Sequence, residues 1–311
     1  MKIVFFWTGE FSAAILKWLL EYSDVEVALV VSQNDKPVGR KMEILPTPVK
    51  QVALAHGLPL EQPEKLKANT EFLQTLQWVQ ADFFVVVAYG KILPQSVLDL
   101  PKYYPLNIHG SILPKYRGAS PIQESLKNGD ETTWLTIMQM SLWMDEGATF
   151  KIEEIKVDIV DKTPNIFEKF AWVWPKLIYE VMQQIVDTGL TPTAQDSTKA
   201  TYCTKIEKED GRVSFHTQTA KEIYNRFRAY TPWPWIYTYF EGKKFQIEDC
   251  FFDQSLSAPV WSVICLSEKK YGIWTPSWVL ILYAVKLEWK KSMDINSFIN
   301  GNKNFLQYNF E

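Results

Sequence analysis

Over its first 188 residues the chain alternates short, continuously apolar runs with stretches of helical periodicity, and this alternation restricts the fold more than any other feature. Residues 2–7, 25–32, 82–89, 105–109 and 133–140 read as strands. Their apolar residues follow one another instead of alternating with polar ones, which marks strands covered on both faces. Between them, Ile15, Leu16, Leu19 and Leu20 fall at helical spacing behind Ser12, a candidate N-cap. Helices are also expected at 48–56, 70–79 and 121–126, with a long one over 166–188. Strands alternating with helices give an α/β, Rossmann-like domain with a mostly parallel sheet. Residues 34–48, carrying Pro37, Gly39, Pro46 and Pro48, read as a long loop.

The texture changes past residue 188. Residues 189–204, with Pro192 and many Thr, Ser and Gln, read as a linker. From 205 to 311 short strand-like runs (237–240, 244–247, 262–267 and 279–287) are separated by turn residues, which suggests a small OB-like β-barrel domain. The expected organisation is thus a catalytic domain at 1–188, a linker at 189–204 and a second domain at 205–311.

One segment carries chemistry. Asn107 and His109 lie two residues apart at the end of a strand, so their side chains share one face. In open parallel sheets the site lies at the carboxyl ends of the strands. A neutral amide donor beside an imidazole suits a reaction passing through a tetrahedral oxyanion, such as acyl transfer.

Bulk properties exclude other classes. The net charge of -3 does not suit a protein that coats nucleic acid. It is uneven, however: residues 1–200 hold 19 Lys+Arg against 24 Asp+Glu, and residues 201–311 hold 14 against 12. The slightly basic final third permits nucleic-acid contact. Cys203, Cys250 and Cys265 lack metal-ligand or disulfide-framework spacing, so no metal is expected and a reducing cytoplasm fits. Neither a signal peptide nor a membrane span is apparent. No GxGxxG follows the first strand, which argues against a nicotinamide-dependent oxidoreductase.

The segments VFFWTGEFSAAIL, KPVGRK, QPEKLK, VVVAYGKILP (85–94), NIHGSILPKYRGASPIQESLKNGD (107–130) and TIMQM (136–140) resemble the methionyl-tRNA formyltransferase family. That family belongs to the folate-dependent formyltransferases. Near the end, KIEKEDGRVSF, FRAYTPWPW and KLEWKKSM resemble its second domain. The resemblance implies a formyl group passed from 10-formyltetrahydrofolate to the α-amino group of methionyl-initiator tRNA, for bacterial translation initiation. A monomer without metal or membrane is expected. Asn107, His109 and Asp145 match the family's catalytic positions. Asn107 is expected to donate to the oxyanion, His109 to donate or move the proton, and Asp145 to orient His109. Ser111, Ile112, Leu113 and Pro114 match its folate-contacting segment, and Tyr89 and Gly90 its pocket wall. Lys36, Arg40 and Lys41 lie in its inserted loop, where they suit phosphate contact by a tRNA-binding arm. Rival readings are a related enzyme acting on a sugar-nucleotide amine or a purine precursor, and a non-catalytic tRNA- or folate-binding relic.

Thirteen Trp against thirteen Gly in 311 residues is unusual. Glycine is about 4% of the chain, where about 7% is typical. Trp7, Trp134, Trp143, Trp174, Trp235, Trp278 and Trp289 stand where the family pattern has glycine. Such a set is expected if the gene's organism reads UGA as glycine and the chain is written with tryptophan there. As written, Trp7 and Trp143 are expected to crowd the folate pocket.

Overall fold

Strand β1 (Lys2–Phe6) lies inside a seven-stranded sheet, hydrogen-bonded in parallel to β2 (Glu26–Val31) on one side and β6 (Phe83–Val86) on the other. The computed structural model describes residues 1–7, 10–38, 42–256, 263–267 and 270–310, and of residues 10–12 and 38 the backbone alone. Two short strands, β3 (Lys36–Val38) and β4 (Glu43–Leu45), pair antiparallel to each other. Strand β5 (Leu60–Glu61) extends the sheet beyond β2, and β7 (Tyr104–His109) extends it beyond β6, both in parallel. The parallel set therefore runs β7-β6-β1-β2-β5. The two-residue strand β8 (Arg117–Gly118) follows β7 in the chain. Strand β9 (Thr132–Gln139) pairs antiparallel to β7, and β10 (Thr149–Lys156) lies outside β9. Strand β11 (Tyr202–Cys203) pairs with β8.

The expected mostly parallel sheet is present, and the burial pattern explains it. Val4 and Phe6, Leu29 and Val31, and Phe84 and Val86 project to one face and join a single core cluster. Phe5 and Trp7 take the opposite face, where the Trp7 ring lies 5.6 Å from Phe5 and 5.7 Å from Trp174. Both faces being covered, successive apolar residues are required.

The helices are α1 (Glu10–Leu19), α2 (Pro48–Ala55), α3 (Thr70–Val79), α4 (Gln95–Leu98), α5 (Pro121–Asn128) and α6 (Thr163–Thr188). Local chemistry sets several ends. Thr47 Oγ1 accepts the Lys50 N–H at 3.2 Å ahead of α2, whose first residue is Pro48. Asn69 Oδ1 accepts the Phe72 N–H at 3.1 Å ahead of α3. Each such cap contributes about 1 kcal/mol. Helix α1 starts at Glu10, so Ser12 lies inside its first turn and does not hold the expected capping position. The expected loop at 34–48 contains the β3–β4 hairpin; Pro37 is tolerated because a two-stranded ribbon has free edges.

The chain divides into two compact units: residues 1–121, 132–155 and 167–202, and residues 122–131, 156–166 and 203–311. The second unit has an antiparallel sheet of β12 (Ile236–Phe240), β13 (Lys243–Asp253), β14 (Val263–Ser267), β15 (Lys270–Trp274) and β16 (Val279–Leu287), in the order β12-β13-β16-β15-β14. Strand β17 (Met293–Asp294) joins β16. Helix α7 (Ala220–Tyr230) begins with a capping box: Thr219 Oγ1 accepts the Glu222 N–H and Glu222 Oε2 accepts the Thr219 N–H. Asp294 caps helix α8 (Ile295–Gly301). Phe240, Phe245, Phe298, Phe305 and Phe310 form the unit's aromatic core, with ring centroids 5.1–6.4 Å apart for the neighbouring pairs.

The tryptophans divide by backbone. Trp235, Trp278 and Trp289 have φ of 65°, 72° and 63°, in the left-handed region. Trp7, Trp134, Trp143 and Trp174 do not. Trp7 and Trp174 are core residues, at 1% and 4% exposure. Trp143 is exposed. Of the two indoles expected to crowd a pocket, Trp7 is packed against Phe5 and Trp174, and Trp143 faces solvent.

Candidate active site

The carboxyl end of β7 sets the site. Asn107 is flanked in register by Val86 of β6 and Met138 of β9, and His109 by Thr136. The two site residues thus hang from a strand fixed on both sides. The Asn107 side chain is half-buried and makes no hydrogen bond to any described residue, so its amide donor is free for a bound molecule. His109 is buried at 5% exposure. Its Nε2 lies 2.9 Å from the Tyr116 carbonyl, which can only accept, so Nε2 carries the proton. Its Nδ1 lies 3.6 Å from Asp145 Oδ2.

Asp145 sits between β9 and β10 with φ of 55°, a left-handed conformation that Asp tolerates better than most residues. Its Oδ2 also accepts the Gly118 N–H at 2.8 Å, and its Oδ1 makes no hydrogen bond to any described residue. Two residues on, Gly147 passes so close to β9 that an added Cβ would lie 1.7 Å from the Gln139 carbonyl oxygen. Only glycine lets the loop fold back onto the strand there. Asn107, His109 and Asp145, proposed from sequence, thus stand on neighbouring elements, with His109 and Asp145 in direct contact.

The proposed folate segment forms a tight turn after β7. Thr136 Oγ1 donates to the Ser111 carbonyl at 2.6 Å and accepts the Leu113 N–H at 3.4 Å. The Ser111 hydroxyl donates to the Lys115 carbonyl. The Leu113–Pro114 peptide bond is cis. Ser111 and Leu113 are buried and shape the turn, while Ile112 and Pro114 are half-exposed and face outward. Tyr89 is a core residue whose phenol is pushed up to about 12 by burial, so it stays neutral. Gly90 has φ of 74°, and an added Cβ there would lie 2.7 Å from Gln33 Nε2. That amide donates to the Tyr89 carbonyl at 2.5 Å.

Of the proposed tRNA-contacting residues, Arg40 and Lys41 lie outside the described residues. Lys36 is exposed and donates to Gln33 Oε1 at 2.9 Å. At the base of the same hairpin Lys50 pairs with Asp35 at 2.6 Å and, with Gln62, holds the Asp35 carboxyl below the usual carboxylate range.

Sequence reasoning missed Gln195, which lies in the expected linker. Its Oε1 accepts from Arg117 Nη2 at 2.8 Å and Nε at 3.1 Å. Its Nε2 donates to the Asp145 carbonyl at 2.8 Å and the Gly147 carbonyl at 2.7 Å. Thr136 stands opposite His109 in the TIMQM run, which the sequence reading included without assigning Thr136 a role. Gln195 offered no signal.

An amide donor and a histidine–carboxylate pair at the carboxyl end of a parallel strand suit acyl-group transfer. Residues 1–182 match the model of the formyl transferase family, and residues 205–303 match that of the formyl transferase C-terminal domain. The chain belongs to the formyl transferase family and is a one-carbon transferase. It is 39% identical to the methionyl-tRNA formyltransferase of Caldicellulosiruptor saccharolyticus over 97% of each chain. It is 37% identical to that of Sulfurihydrogenibium sp., again over 97% of each. In fold it is similar to a sugar 3N-formyl transferase (TM-score 0.66, 16% identity, 94% of this chain and 99% of that one). It is similar also to a methionyl-tRNA formyltransferase from Clostridium thermocellum (TM-score 0.58, 12% identity, 82% and 94%).

Proposed function

We propose that the chain transfers the formyl group of 10-formyltetrahydrofolate to the α-amino group of methionyl-initiator tRNA. The observation that carries this reading is the free Asn107 amide beside His109, itself 3.6 Å from Asp145. The neutral amine attacks the formyl carbon and a tetrahedral oxyanion forms. Asn107 Nδ2–H donates to that oxygen; one such donor contributes about 3–4 kcal/mol to the transition state. Collapse breaks the bond to N10 of the folate. The attacking nitrogen loses one proton and N10 gains one, and His109, oriented by Asp145, handles that transfer.

The 10-formyltetrahydrofolate lies against the turn of Ser111, Ile112, Leu113 and Pro114, with Tyr89 and Gly90 as its wall. Residues 1–188 carry catalysis, and residues 205–311, with their small excess of Lys and Arg, bind the tRNA. Lys36, Arg40 and Lys41 contact its phosphates. The enzyme works as a monomer in the cytoplasm; no helix among the described residues is long and apolar enough to cross a membrane.

The test is formyl transfer from 10-formyltetrahydrofolate to methionyl-tRNA by the purified chain and by His109→Ala. Turnover lost in the folded variant supports the reading. A folded wild-type chain inert toward methionyl-tRNA but active on a sugar-nucleotide amine sinks it.

A further inference from the structure

We propose that Gln195 is a positioning residue for the proposed transfer, acting through Asp145; this rests on the function proposed above. Its amide can be satisfied in one orientation only. Oxygen must face the Arg117 guanidinium, which donates twice, and nitrogen must face the carbonyls of Asp145 and Gly147, which can only accept. Arg117 is itself buried at 1% exposure and fixed by β8–β11 pairing, Ser197 and Glu146 Oε1 at 3.2 Å. The guanidinium is thus an anchor, and Gln195 passes its position to the backbone on both sides of Glu146.

The loop needs this hold. Asp145 occupies a left-handed conformation that costs most non-glycine residues about 1–2 kcal/mol and Asp less. Two carbonyls pinned by one amide fix the peptide planes 145–146 and 147–148, which directly follow the strained residue. Asp145 Oδ2 is thereby held where it meets both the Gly118 N–H and His109 Nδ1. A displacement of about 1 Å at such a group can cost about 100-fold in rate.

The test is a double-mutant cycle on kcat with Gln195→Ala and Asp145→Asn. Gln195→Ala is expected to lower kcat about 10- to 100-fold, with KM for either substrate nearly unchanged. In the Asp145→Asn background the same change is expected to cost less than about threefold, because the group it positions has lost its charge. If Gln195→Ala does not fold, Gln195→Met, of similar volume, takes its place. Equal losses in both backgrounds, or no loss in a folded variant, overturn the inference. If Asp145→Asn alone leaves kcat unchanged, the site assignment fails instead, and this inference with it.

A separate observation concerns the tryptophans. Three of them, Trp235, Trp278 and Trp289, have left-handed backbones, where a bulky residue is a genuine outlier and glycine is the ordinary occupant. The chain is also poor in glycine. We infer that these three positions are glycine in the polypeptide the cell makes. Peptide mass mapping of the protein from its own cells tests this. Glycine at the three positions supports it; tryptophan at any one overturns it.

Discussion

Asp145 Oδ2 serves two partners at once, accepting the Gly118 N–H at 2.8 Å and standing 3.6 Å from His109 Nδ1. The first contact is short enough to fix the carboxylate, and the second leaves it beside the imidazole without a direct hydrogen bond. Asp145→Asn tolerates the same backbone and keeps an oxygen for Gly118, so folding should be nearly unaffected. Single-turnover formyl transfer should nonetheless fall by about 100-fold. An unchanged rate in a folded variant would remove Asp145 from the mechanism.

Arg117 is expected to matter for stability as well as for the loop. Its guanidinium serves Gln195, Ser197, Tyr202 and Glu146 together. Arg117→Met keeps the apolar stem but leaves Gln195 Oε1 without its two donors. The expected cost is about 1–3 kcal/mol, seen as a lowered midpoint in urea unfolding.

Alkaline pH should weaken the fold through buried phenols. Burial raises Tyr89, Tyr224 and Tyr230 from 10.0 to about 12. The unfolded chain therefore releases these protons before the native one does. Their contribution is complete below pH 10 and is lost as pH rises toward about 12. Thermal unfolding followed across this window should show Tm falling together with the rise of tyrosinate absorbance. A flat Tm would mean the phenols ionise freely in the native state.

Trp289 offers the cleanest test of backbone strain. It is 93% exposed, so Trp289→Gly removes little packing. Relief of the left-handed cost, about 1–2 kcal/mol, exceeds the entropic penalty of glycine, about 0.5–1. A net gain of up to about 1.5 kcal/mol in chemical denaturation is expected. Trp278→Gly should gain less, since its ring stacks on Phe252 at 5.8 Å.

Lys36 should contribute to tRNA binding through charge alone. Lys36→Ala is expected to reduce the slope of log affinity against log salt by about 1, with kcat unchanged. An unaltered slope would leave its bond to Gln33 as its role.

Much of this was legible because it is local. The i, i+2 relation of Asn107 and His109 survives in β7, and the runs at 70–79 and 279–287 form α3 and β16 over those bounds. What failed depended on partners distant in sequence. The β3–β4 pairing hid behind prolines and glycine. Strand β10 is an edge with several exposed charges, so its apolar signal is weak. Helix α7 had a readable signal in Thr219 and Glu222, the capping box, which was overlooked. Gln195 is an ordinary polar residue until Arg117, 78 positions earlier, meets it.

The left-handed turn at Asp145 also bears on how the site can evolve. Codons for aspartate and glutamate differ by one nucleotide, so mutation offers that exchange often. Glutamate adds a methylene to a carboxylate that already stands 3.6 Å from His109 Nδ1, and it lacks the short side chain that lets Asp bond locally in the left-handed region. Gly147, wedged against Gln139, leaves the loop no room to shift in compensation. With Asp145 in its proposed role, an acid exchange that many surface loops absorb silently is expected to be closed at this one.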